Sequence, residues 1–240
     1  MQNTQRIEQA QAPRYQVPPQ AGQRRKVGEI FTSAEILSLT RRSDWRGLWA
    51  VGSTWGVIAV AFAVMAWASH HLPTWAAVLA VLVGMAVIAG RQLGLAILMH
   101  EASHGTLFKT KWFNEVLVDW LCARPIWNDL AKYRVHHLLH HSKTGSAQDT
   151  DISLVAPFPT TRASLVRKFM RDLVGLTGLK FFVGRLLMDA GYLKWTIAQD
   201  LTKLPQEGRT VPECITTFAR NITPMLLTNL ALWAALDACG

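Results

Sequence analysis

Apolar residues run through this chain in long blocks, and the blocks are too long for strands. Residues 47–68 carry no ionisable side chain. As a helix rising 1.5 Å per residue they reach about 33 Å, enough for the hydrocarbon core of a bilayer. A core helix of a soluble domain would show a polar stripe. This stretch has none, and Trp45, Trp49 and Trp67 flank it as interfacial residues do. After a polar turn at 69–74, a second apolar block opens at Trp75 and runs uncharged to Gly90. Arg91 falls near the far interface, and the helix is expected to continue past Met99 and carry His100 out of the membrane. Spans are therefore predicted at about 47–68 and 75–95. A third is predicted at 221–240, a further largely apolar run behind Arg220.

The segments between these blocks are short or mixed. Thr32-Ser33-Ala34-Glu35 has the capping-box pattern and predicts a short helix. Arg41, Arg42, Asp44, Trp45 and Arg46 then form a basic and aromatic anchor ahead of the first span. Residues 116–127 are apolar but too short to span and are broken by Arg124-Pro125, which suggests an interfacial or re-entrant segment. Residues 173–188 mix cations with apolar positions and predict one amphipathic helix on a membrane surface; a soluble helical hairpin is the alternative. Residues 1–26 are rich in Gln and Pro, lack the apolar core of a secretory signal, and are expected to be a disordered tail. The fold class expected is an all-α integral membrane protein. It comprises a tail with a short helix at 1–40 and a membrane domain at 41–240.

Charge adds an orientation. Basic residues precede the first span and follow the second (Lys109, Lys111, Arg124, Lys132, Arg134), while the turn between the spans has none. This bias places the N-terminus and the segment after the second span in the cytoplasm. The net charge of +9 fits such loops facing anionic lipid. No nucleic-acid-binding motif accompanies it, so nucleic acid is not an expected partner. The three cysteines, Cys122, Cys214 and Cys239, lack metal-ligand spacing and are read as small hydrophobes.

Six of the eight histidines lie between residues 100 and 141. His100 and His104 are spaced i, i+4, and His137, His140 and His141 are spaced i, i+3, i+4, so each set shares one helical face. Five imidazoles on two neighbouring helices are suited to a transition metal: zinc, copper, iron or nickel. His136 points off that face and is either a spare ligand or a donor behind the ligands. His70 and His71 are read as ordinary surface residues. His100-Glu101-Ala102-Ser103-His104 also matches the zinc-protease pattern His-Glu-x-x-His, in which Glu101 would be a general base. That chemistry needs one more ligand and a water, not a second histidine cluster. Glu101 is therefore read as a carboxylate that orients a ligand.

These two clusters resemble the first two histidine boxes of the membrane fatty acid desaturase superfamily. His100/His104 match the first box and His137/His140/His141 the second. Tyr133-Arg134 ahead of the second box and Asp149-Thr150-Asp151 after it resemble the family's flanking residues, with Thr150 in place of a proline. The resemblance covers roughly residues 40–240. It implies a histidine-ligated non-haem di-iron enzyme that uses O2 and two electrons to remove hydrogen from an acyl chain. The electrons come from a carrier such as ferredoxin or cytochrome b5. His136, Asp149 and Asp151 then stand as residues behind the ligands.

The family carries a third box, and no histidine follows His141 here. The expectation is a fragmentary member whose ligands are too few for two irons. Alternatives are a hydroxylase or ketolase of the same superfamily, a membrane zinc metalloprotease, and a non-catalytic metal-binding membrane protein.

Overall fold

The computed structural model describes residues 27–198 and 201–238. The expected tail at 1–26 and Cys239 lie outside the described residues. Among the described residues there are helices and no strand; Leu193 and Lys203 form one isolated bridge. The α-helices of seven residues or more are α1 (Ser33–Leu39), α2 (Asp44–His71), α3 (Thr74–Ser103), α4 (Leu130–Lys143), α5 (Arg162–Leu173), α6 (Leu176–Asp189) and α7 (Val211–Ala238); a single turn lies at Ile152–Val155. The chain divides into two compact units. One holds Phe31–Val135 with the chain from Ala219, the other His136–Phe218.

In the first unit, α1 begins at the predicted capping box. The Thr32 hydroxyl accepts from the Glu35 N–H while the Glu35 carboxylate accepts from the Thr32 N–H. The Ser43 side chain caps α2 by accepting from the Arg46 N–H. Two described segments are long and apolar enough to cross a membrane: Ser33–His71, which contains α1 and α2, and α3. The polar turn is shorter than its composition predicts. α2 keeps Ser69, His70 and His71 in its last turn and ends at Leu72, where the extended backbone leads into Pro73. His71 helps, because its Nδ1 bonds the Trp67 carbonyl and its ring stacks on Trp67.

α2 and α3 pack along their length. The buried side of α2 is Val51, Thr54, Ile58, Ala61 and Ala68. These recur in steps that sum to seven, the seam of two helices crossing at a small angle. Small residues set the spacing, as in membrane helix pairs. A Cβ on Gly84 would run into the Met65 side chain, and one on Gly47 into the buried Phe108 ring and the Leu107 carbonyl.

The loop after α3 returns to the start of α2. The Thr110 N–H and hydroxyl both donate to the Asp44 carboxylate at 2.8 Å. The Thr110 amide, foremost among several contacts, holds the Asp44 carboxyl below the usual range. Buried Asn114 pins the same loop, accepting from the Phe108 N–H and donating to the Phe108 carbonyl. Residues 113–123 coil in wide π-helical turns, followed by a tight turn at Arg124–Ile126 and the left-handed Trp127. Cys122 is fully buried there, and burial pushes its thiol up to about 12.

α7 opens ten residues before the apolar run that predicted it. A second capping box accounts for this: the Glu213 carboxylate accepts from the Thr210 N–H at 2.8 Å, and the Thr210 hydroxyl accepts from the Glu213 N–H. In the second unit, the amphipathic helix expected at 173–188 is α6, which starts three residues later, at Leu176, and ends at Asp189. Leu173 closes α5, and Gly175 takes the left-handed conformation (φ +78°) that stops the helix and starts α6.

The tight fit around Gly47 gives a direct test. Gly47→Val is expected to lower stability by roughly 1–3 kcal/mol through overpacking against Phe108. Thermal unfolding of the purified variant against wild type checks it; an unchanged midpoint would contradict the contact.

Candidate metal centre

The start of α4 is fixed by a compact charge network. Arg124, nearly buried, grips the Asp119 carboxylate at 2.7 and 2.8 Å and reaches Asp129 at 3.3 Å. The freed oxygens of these two acids take the first orphan N–H groups of the helix. Asp119 accepts from the Leu130 N–H and Asp129 from the Lys132 N–H. Arg124 is therefore a folding residue, not a charge turned toward lipid headgroups. The same applies in part to two other cations used for the orientation. Lys132 lies 4.0 Å from Asp129. Arg134 donates to the Ser103 and Ala102 carbonyls at the end of α3.

That last contact joins the two histidine-bearing helices within the first unit. Arg134 satisfies terminal carbonyls of α3, where a cation is also favoured by the helix dipole. One turn earlier on α3, the His100 ring lies 6.5 Å from the Tyr133 ring. His100 and His104 sit at the end of α3, with ring centroids 5.0 Å apart. One Glu101 oxygen meets His100 Nδ1 at 3.1 Å; the Thr106 hydroxyl, 2.8 Å from the Glu101 carbonyl, lies 3.1 Å from the other. A carboxylate so engaged can hold a ring.

α4 continues without a break into the second unit and carries the other cluster. His137 and His141, one turn apart, face each other with their Nε2 atoms 3.0 Å apart. This is the distance of a hydrogen bond between the rings, the donor set by the tautomer; two ligands at right angles on a metal with bonds of about 2.1 Å would also stand roughly 3.0 Å apart, so the spacing is compatible with neighbouring ligands. His140 is turned differently. Its Nδ1 lies 2.6 Å from Asp149 Oδ1 and 3.7 Å from Asp151 Oδ2, which leaves Nε2 as the ring nitrogen that could ligate. His136, buried, meets Asp151 Oδ1 through Nε2 at 2.9 Å, and its carbonyl accepts from the Thr150 hydroxyl.

Asp149 is the hinge of this shell. Burial raises its pKa, but hydrogen bonds from His140 and from the Asp151 and Gly145 amides outweigh that and hold the carboxyl below its ordinary range. It stays a carboxylate and fixes the His140 tautomer, as carboxylates behind metal-bound histidines do. The donor set in each unit is thus compatible with metal binding. Neutral imidazole does not select among iron, zinc, copper and nickel.

Two residues carry roles that sequence spacing leaves unseen. Arg134 clamps the end of α3; an arginine in the turn before a histidine cluster is the available signal. Trp195 lies edge-on to His136 at 5.9 Å and under the Arg185 guanidinium at 5.8 Å, and nothing in local sequence marks it.

The family model described as Fatty acid desaturase matches residues 73–238. No curated protein and no solved structure matches the chain.

Asp149→Asn keeps the shape of the residue and removes the charge that orients His140. Metal affinity is expected to fall roughly 10–100-fold. Titration with Fe(II) under anaerobic conditions measures it, and unchanged affinity would contradict the orienting role.

Proposed function

This chain belongs to the fatty acid desaturase family, and on that premise we propose that it is an O2-dependent desaturase of an acyl chain carried on a lipid or CoA. The family gives oxidoreductase chemistry, a lipid substrate and O2 as general features. The proposed iron ligands are His100 and His104 in the first unit and His137, His140 (through Nε2) and His141 in the second. The observation that carries this reading is the His137–His141 pair, with like ring nitrogens 3.0 Å apart. When bound, iron would supply the activation of O2 that abstraction of hydrogen from an unactivated C–H bond needs.

The chain's own residues do the holding. Glu101 steadies His100, and Asp149 steadies His140. Asp151 stands against His136, and its second oxygen extends toward His140. α2 and α3 anchor the first cluster to the bilayer, with the histidines on the cytoplasmic side, where a carrier such as ferredoxin or cytochrome b5 can deliver electrons. The apolar surroundings of the spans suit an acyl chain and keep water from the oxidant. A hydroxylase or ketolase would use the same ligands. A zinc protease would need one further ligand and a water, not a second histidine cluster.

His137→Ala is expected to weaken iron binding by at least the roughly 10–100-fold that loss of an outer partner costs. It is also expected to abolish new double bonds in the lipids of an expressing host. Metal analysis of the purified proteins, with lipid profiling of the host, tests both. Unsaturated product from the variant, or its absence with wild type, would contradict the proposal.

A further inference from the structure

α5 and α6 form a hairpin that leaves its apolar side chains uncovered. No residue of α5 is buried, and in α6 only Asp189 is. On α5, Leu165, Val166, Phe169, Met170 and Leu173 recur at i, i+1, i+4, i+5 and i+8, a single helical face, and all are exposed. The connecting turn is apolar as well: Leu173 is 80 % exposed, and Val174 and Leu176 flank the left-handed Gly175. α6 adds Leu179, Phe182 and Val183. Helices of 12 and 14 residues have little stability without something against that face. They are also too short to cross a bilayer.

Charge identifies the occupant. Residues 162–189 hold six cations and two acids. Both acids are engaged inside the hairpin. Asp172 takes Lys168 at 2.6 Å and the Thr177 hydroxyl at 2.5 Å, and buried Asp189 takes Arg185 at 2.8 Å. Among the described residues, Arg162, Arg167 and Lys180 have no carboxylate within ion-pair distance. On α5, Arg167, Lys168 and Arg171 lie opposite the apolar face. An apolar face and tip, basic flanks and internally neutralised acids fit an anionic lipid surface. An acidic protein would meet the cations but leave the leucine and phenylalanine tip in water.

We propose that the α5–α6 hairpin is an interfacial anchor. Phe169, Leu173 and Leu176 enter the acyl boundary of the bilayer, and Arg167, Arg171 and Lys180 hold the headgroups of anionic lipids. The anchor is independent of the reaction at the histidines.

Site-directed spin labelling of the full chain in nanodiscs tests it. Phe169→Cys, Leu173→Cys and Arg167→Cys are labelled in a background lacking the native cysteines. In discs containing phosphatidylglycerol, the labels at 169 and 173 are expected to collide with dissolved O2 several-fold more than with a water-soluble nickel chelate. The label at 167 is expected to show the reverse. In discs of phosphatidylcholine alone, the chelate is expected to gain access at 169. Should the labelled variants misfold, hydrogen exchange of residues 162–176 in wild type gives the same reading, with protection rising on anionic discs. Chelate access at 169 and 173 in both discs would overturn the proposal. So would protection from both reagents, which would mean that protein covers the face, or protection independent of lipid charge.

Discussion

An imidazole presents a defined ligand atom to a metal only when its other nitrogen is held, and the second histidine cluster is arranged around that requirement. His137 and His141 bring Nε2 atoms to 3.0 Å, a spacing that suits a shared cation. His140 has its Nδ1 occupied by Asp149, so only Nε2 remains to ligate. Asp149 keeps its charge because the Asp151 and Gly145 amides converge on it with His140. Remove that carboxylate and the ring can turn or change tautomer. The same logic, on a smaller scale, places Glu101 against His100.

Orientation of the rings depends in turn on where α4 starts. Arg124 between Asp119 and Asp129 leaves the outer oxygens of both acids free to cap the helix. One turn on, Arg134 closes the carbonyl end of α3. A nearly buried ion pair of this kind contributes modestly to stability once desolvation is counted, and breaking it costs more than never having it. Its value lies in fixing the helix register, and so which face of α4 carries the histidines.

Much of this was readable from residue order where the governing interaction is local. The apolar blocks predicted α2 and α3, and the Thr32–Glu35 pattern predicted α1. The Thr210–Glu213 box is the same local signal, yet the apolar run beginning at Asn221 drew the predicted start away from it. Other features depend on atoms far apart in sequence. Among Gly175, Gly178 and Gly184, only Gly175 breaks the helix, and composition does not single it out. Positive charge near the second span suggested orientation, but Arg124 and Arg134 are committed to carboxylates and carbonyls. Histidine spacing placed five rings on two faces, but not which ring nitrogen each one presents.

X-ray absorption at the iron edge of the reconstituted chain tests the central claim most directly. If the two histidine clusters hold iron, the spectrum will show nitrogen at about 2.1 Å with the outer-shell scattering pattern of imidazole rings. That pattern will shrink in His137→Ala. Iron bound by oxygen donors alone, or a spectrum that His137→Ala leaves unchanged, would contradict the account.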